Sequence, residues 1–257
     1  RDHTVTVAAF RWGATRDVRR ADLPHGMQVH AVDADPFRYT DLPTLAKFAS
    51  PLPLADWPSR AMLKTLRKLQ ASESWDAVVA IQSPAALYAL LLQIPRVLDM
   101  DTALSFQLHE QFSRTTSPLA RIRAFVSWRK AHWYEAYLLR RYQAATVVSD
   151  QELDFLRSMV SGRSCHVVVN PNGVDCAHNR PEFAEVQPQT LVYNGALTYS
   201  ANYDAMQYFL AEVYPAIRAQ VPDATMKITG STKGVDLLDL GLDDSVCLTG
   251  YVEDVRV

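Results

Sequence analysis

Glycine is scarce in this 257-residue chain, with 9 in all, and it is unevenly placed. Only Gly13, Gly26 and Gly162 precede residue 173; the other six follow from Gly173 onward. Glycine serves where backbone turns sharply or approaches a ligand closely, so the last third is expected to face the ligand. Cysteine is scarcer still. Cys165, Cys176 and Cys247 lie far apart with no CxxC pair, which excludes a disulfide framework and zinc-site spacing and makes a reducing cytoplasm the default location. Neither sign of charge dominates: 26 Lys+Arg stand against 28 Asp+Glu, a formal net charge of -2. A broad basic face for nucleic acid is therefore not expected. The longest apolar run, Ala85–Leu92, closes at Gln93 and Pro95, far short of the roughly 20 residues of a membrane-spanning helix. A secretory leader is not expected, because the first residues show no charged-then-apolar pattern.

Familiar catalytic signatures are also missing. There is no GxGxxG, GxxxxGK[ST] or GxSxG, so dinucleotide, P-loop and serine-hydrolase readings lack their geometry. His109-Glu110 begins like a zinc-protease helix, but Ser113 stands where the second histidine belongs.

What is present is a soluble, globular composition, 48% hydrophobic and 21% charged, at a length that suits two domains. Short β-branched runs recur at Thr4–Ala9, Gln28–Val32, Ala77–Ile81, Arg96–Met100, Ala145–Val148 and His166–Val169. Helical patterns at Arg60–Gln70, Pro84–Leu92 and Leu119–Arg141 lie between several of them. Such alternation predicts a mostly parallel sheet, and the unbroken apolarity of Ala77–Ile81 predicts a strand covered on both faces. Pro171–Pro188 carries three prolines and an Asn-Gly turn and reads as a hinge. Alternation then restarts: strand Thr190–Tyr193, helix Asn202–Ala219, strand Thr225–Thr229, short helix Val235–Leu240, strand Val246–Thr249. Asn202 reads as a helix cap, with Asp204 in the first turn. Ala205, Met206, Phe209, Leu210, Val213 and Ile217 form one apolar face. The fold class expected is α/β with two Rossmann-like domains: residues 1–172, a hinge over 173–189, and 190–257.

Three features bear on chemistry. The DxD pairs Asp33/Asp35 and Asp99/Asp101 face one way on extended backbone and could share a divalent ion, but acidic triplets this short recur by chance, and solvated strand-end carboxylates are the simpler reading of the second pair. Asp99 and Asp101 nonetheless close a strand, where open α/β sheets bind ligands. Leu191–Asp204 has the form strand, glycine loop, helix start, which suits a phosphate or diphosphate. Lys227 and Lys233 are the nearest basic residues, and Lys233 follows Gly230 at the next strand end. Finally, Leu119–Arg141 carries Arg121, Arg123, Arg129, Lys130, Arg140 and Arg141 against Glu135 alone, interleaved with Trp128, Trp133, Tyr134 and Tyr137. An anionic membrane surface is one partner for it. Aromatics packed on the sheet, with solvated basic residues opposite, is the simpler expectation.

Several segments resemble glycosyltransferase family 4, retaining sugar transferases of the GT-B fold. Val147-Val148-Ser149-Asp150 is similar to the family's strand ending before a helix, and Val168-Val169-Asn170-Pro171-Asn172-Gly173-Val174-Asp175 to its inter-domain signature. Leu191–Asn202 resembles the opening of its donor domain. Tyr214-Pro215-Ala216-Ile217-Arg218, Val221-Pro222-Asp223-Ala224, Met226–Gly230 and Leu248-Thr249-Gly250-Tyr251-Val252-Glu253-Asp254 follow in order. The similarity is strong over 147–257 and mainly architectural before it; the nearest subgroup makes bacterial exopolysaccharide or similar surface glycans.

The resemblance implies a nucleotide-sugar donor and a glycan or lipid-linked acceptor, with no cofactor and no metal. Gly195, Thr198, Ser200 and Asn202 would face the donor diphosphate. Gly230, Ser231 and Lys233 would line the nucleotide crevice, with Gly250, Tyr251 and Val252 against the base. Two departures stand out: Ala196 and Ala201-Asn202 replace the loop's usual basic residues, and Asp101 occupies roughly the place of a histidine, making it the candidate catalytic group. Members usually carry a strand and glycine-rich loop before Thr4–Ala9, and paired glutamates after the last motif. An internal fragment, inactive alone, is therefore expected. A nucleotide-sugar epimerase of the same architecture and a non-catalytic binding subunit are the other readings.

Overall fold

The computed structural model of the chain describes residues 3–11, 27–35, 59–160, 165–180 and 185–256. Gly13, Gly26, Gly162 and part of the Pro171–Pro188 segment lie outside the described residues. The chain divides into two compact units, Arg1–Asn172 and Gly173–Val257.

The first unit alternates strand and helix. Strands β1 (Thr6–Arg11) and β2 (Gln28–Asp33) pair in parallel; β3 (Val78–Ile81), β4 (Arg96–Asp99), β5 (Ala144–Val147) and β6 (His166–Val169) form a second parallel sheet in chain order. Among the described residues five helices accompany them: α1 (Arg60–Ser72), α2 (Gln82–Ala89), α3 (Leu104–Arg114), α4 (Pro118–Leu139) and α5 (Asp150–Val160). Leu98, Ala145 and Val147 of the central strands pack with Ala86, Leu138, Leu139 and Leu156 of the helices in one core. Two tyrosines enter it with their hydroxyls satisfied, as buried polar groups must be: Tyr134 donates to the Ser83 carbonyl at 2.9 Å and Tyr142 to the Ala86 carbonyl at 2.6 Å.

The strand Ala77–Ile81 is not covered on both faces. Among the described residues β3 is an edge of its sheet, and Val79 and Ile81 are exposed while Ala80 between them is buried. Its continuous apolarity concealed a period of two. The helix expected from Pro84 begins two residues earlier, at Gln82, placing Pro84 in the first turn where a missing N–H costs nothing.

In the second unit, β7 (Thr190–Asn194), β8 (Thr225–Thr229) and β9 (Val246–Gly250) form a parallel three-stranded sheet. Helix α6 (Ser200–Tyr208) continues through a π-helical turn, Phe209–Val213, into α7 (Tyr214–Gln220). The single helix Asn202–Ala219 is thus interrupted. Pro215 has no N–H and its ring would strike the carbonyl one turn back, which widening by a residue relieves. The apolar face shifts accordingly: Tyr214 is buried with Met206 and Leu210, whereas Ala205 is exposed. Val235–Leu240 contributes only a 3-10 turn at Leu238–Leu240, closed by left-handed Gly241. Among the described residues no helix is long and apolar enough to cross a membrane.

Candidate functional site

Each unit gathers polar groups at the carboxyl ends of its parallel strands. In the first unit Asp99 ends β4 and Asp101 stands in the loop that leads to α3. Asp99 Oδ1 accepts from the Thr146 hydroxyl at 2.9 Å and from the Asp101 amide at 3.3 Å. Asp101 lies in the left-handed region, φ 55°, and Gln82 at the end of β3 lies there too, φ 65°. Gln82 Nε2 reaches Asp101 Oδ2 at 3.4 Å. Two non-glycine residues in that region at adjacent strand ends represent stored strain, which concentrates at working sites.

The loop is held from beneath by two buried carboxylates. Glu135 of α4 accepts from the Leu104 amide at 2.8 Å, the Ser105 amide at 3.1 Å and the Ser105 hydroxyl. Glu152 of α5 accepts from the Ala103 amide at 2.9 Å and the Ser149 hydroxyl at 3.1 Å. Together they cap the N-terminus of α3, where negative charge is favoured. Burial pushes the Glu135 carboxyl up to about 7, against the pull of the Ser105 and Leu104 donors. Neither glutamate carries a motif signal; only the absence of other acids on α4 singled out Glu135.

Of the remaining acidic pairs, Asp33 is held bidentately by Arg11, both contacts at 2.8 Å. His109 packs its ring 4.8 Å from Trp128. Among the described residues no group of three or more His, Cys, Asp or Glu side chains is placed to hold a metal ion.

In the second unit, Gly195, Gly230 and Gly250 lie at the ends of the three strands and are tied by main chain. The Gly195 amide donates to the Thr229 carbonyl at 3.1 Å and the Gly230 amide to the Gly250 carbonyl at 2.8 Å. A Cβ on Gly230, φ 118°, would lie 2.7 Å from the Ala196 nitrogen; one on Gly195 would lie 2.8 Å from Asn202 Nδ2. Only glycine permits this approach of loop to loop.

Asn202 is not the helix cap. Its Oδ1 accepts from the Tyr193 hydroxyl at 3.0 Å and its Nδ2 donates to the Ala196 carbonyl at 3.0 Å. The side chain braces the glycine loop from within the first turn, and Asp204 falls beyond that turn. The cap position is Tyr199, whose side chain makes no capping bond. Asn202 and Tyr203 amides both reach the Tyr199 carbonyl, leaving those of Ser200 and Ala201 without a partner among the described residues. Leu197 anchors the loop in the core, and Thr198 and Ser200 are exposed beside the open helix end. Free amides, the positive end of the helix dipole and hydroxyls on one loop are groups that suit an anion.

Lys227 does not approach this loop. It sits mid-strand, and its Nζ donates to Gln187 Oε1 at 2.6 Å. Ser231 and Lys233 follow Gly230, with the Lys233 amide 3.4 Å from the Ser231 hydroxyl and the Lys233 side chain exposed. Tyr251 is exposed after β9, while Val252 lines an open groove with His178, Glu253, Asp254 and Arg256. Arg256 organises that groove: it contacts both Asp254 oxygens, at 2.8 and 2.6 Å, and the His178 carbonyl at 3.2 Å. The Arg256 hydrogen bonds hold the Asp254 carboxyl down at about 2.

The sequence profile of glycosyltransferase family 4 matches residues 1–178, more than half of the chain, and the chain belongs to that family. Among solved structures, sucrose-phosphate synthase from Thermosynechococcus elongatus is similar over 95% of this chain, with a TM-score of 0.60 and 14% sequence identity. That likeness bears on the fold, which is the α/β GT-B type. The chain spans 60% of the length of that structure. No curated protein matches the sequence.

Proposed function

We propose that the protein transfers a sugar from a nucleotide-sugar donor to a glycan or lipid-linked acceptor with retention of anomeric configuration. The pathway we have in mind is bacterial exopolysaccharide or similar surface-glycan synthesis, on the cytoplasmic side of the membrane. The observation that carries this reading is the contact of the Gly195–Ala196 and Gly230 main chains beside the uncapped start of α6. A donor diphosphate there would meet the Ser200 and Ala201 amides and the Thr198 and Ser200 hydroxyls. These compensate for the missing loop cations, because preorganised amides stabilise a departing oxyanion without a metal. Ser231 and Lys233 would face the nucleotide, and Gly250, Tyr251 and Val252 the base. The first unit would take the acceptor, with Asp101 as the group able to accept or return a proton there.

Calorimetric titration of the protein with UDP-, GDP- and TDP-sugars tests this reading. Saturable binding of one of them, weakened at least tenfold by Gly230→Val, is expected; no saturable binding by any would overturn it. For a donor that binds, the product anomer read by NMR decides retention.

A further inference from the structure

Helix α4 is apolar on two sides. Its inner side, with Ala124, Ala131, Tyr134, Glu135, Leu138 and Leu139, is buried. Tyr134 bonds α2 through its hydroxyl, and Trp128 stacks on Phe112 of α3 at 5.6 Å between ring centroids. The outer side nevertheless carries Leu119, Ile122, Trp133 and Tyr137, exposed by 80%, 62%, 69% and 41%. At 3.6 residues per turn these four fall on one stripe, about 30 Å long. The expectation that the helix's aromatics all pack inward therefore fails for Trp133 and Tyr137.

Charge follows the same stripe. By helical spacing Arg123 and Lys130 run along one edge and Arg129 along the other, with Arg140 and Arg141 at the C-terminal end. Glu135, the helix's sole acid, is buried on the opposite side. No ion pair among the described residues involves Arg123, Arg129, Arg140 or Arg141. Arg129 instead lies over the Trp133 ring at 5.8 Å, and Arg141 over the Tyr137 ring at 3.6 Å. In a chain of net charge -2, cations are thus segregated around an exposed aromatic ridge.

We infer that the outer face of α4 lies on an anionic lipid surface, with the helix axis in the plane of the interface. Trp133, Ile122 and Leu119 enter the headgroup–acyl boundary, while the flanking arginines extend to lipid phosphates, as long cationic side chains do. A convex ridge of this length suits a bilayer, which yields around it, better than a protein partner, which would need a matching groove. The inference stands independently of the sugar-transfer reading.

The test is flotation of the 257-residue chain with vesicles of phosphatidylcholine alone and with 30 mol% phosphatidylglycerol, without any nucleotide-sugar. Binding is expected on the anionic vesicles only, falling as salt is raised, with a blue shift of tryptophan emission. At about fivefold per exposed cation, the double variant Arg123→Ala, Arg140→Ala should bind roughly 25-fold more weakly, and Trp133→Ala should lose most of the blue shift. All three residues are exposed or lie outside the core, so far-UV circular dichroism of the variants should match wild type. Equal binding by wild type and variants, or no binding to anionic vesicles, overturns the inference. So does a dimer that Trp133→Ala dissociates in the absence of vesicle binding, which would assign the ridge to a second copy of the chain.

Discussion

Replacing Glu135 by glutamine probes how the loop carrying Asp101 is held. The wild-type carboxylate meets three donors at the start of α3; a glutamine offers one acceptor oxygen and turns an NH2 toward the rest. Losing such bonds to a buried charged group costs about 1.5–3 kcal/mol each, tempered here because burial already disfavours the charge. The carboxyl's value is raised from 4.5 to about 7, so the folded protein keeps a proton that the unfolded chain has lost. Its contribution is fully present below the unfolded value and is lost as pH rises through the folded one. At about 1.36 kcal/mol per pH unit, roughly 3 kcal/mol disappears between pH 4.5 and 7. Glutamine does not titrate. The wild-type advantage over Glu135→Gln should therefore shrink by about that amount between pH 5 and 8, other groups cancelling in the difference. Urea unfolding read by tryptophan fluorescence isolates the first unit, because Trp12, Trp57, Trp75, Trp128 and Trp133 all precede residue 173. Parallel stability profiles across that range, differing by a constant within about 0.5 kcal/mol, would refute the reasoning.

Other substitutions address the second unit and the first unit's core. Gly230→Ala places a Cβ against the Ala196 main chain at a left-handed φ; a loss of about 2–4 kcal/mol in the second unit is expected, read by hydrogen exchange of the β8 amides. Tyr193→Phe removes the hydroxyl that Asn202 accepts from, and should cost about 1 kcal/mol with faster exchange at Gly195–Leu197. Tyr142→Phe leaves the buried Ala86 carbonyl without its partner and should lower the urea midpoint of the first unit by the equivalent of about 1–2 kcal/mol. Arg256→Ala removes the donors that depress Asp254, whose carboxyl should return from about 2 toward its ordinary 3.8 in an NMR titration; an unmoved value would contradict the assignment.

The strand plan was legible because β-branched runs bounded by turn residues leave few alternatives: His166–Val169 and Thr225–Thr229 coincide with β6 and β8. Side-chain competition was harder to read. Asn202 is chemically suited to cap a helix, yet the Tyr193 hydroxyl and Ala196 carbonyl engage its amide first, so the helix starts at Ser200. The cost of Pro215 inside an apolar period is visible only once the π turn is seen. At the site, the strand-end glycines follow from the scarcity of glycine elsewhere. The capping of α3 by Glu135 and Glu152 does not, because it joins residues 31 and 49 positions apart and leaves no periodicity behind.

The most direct test of the account asks where a nucleoside diphosphate binds. With 15N-labelled protein and UDP, GDP or TDP added to saturation, the amide resonances of Gly195–Ala201, Gly230 and Ser231 should shift together along one binding curve, while those of β6 and α5 stay in place. Shifts confined to other surfaces, or none with any of the three nucleotides, would contradict it.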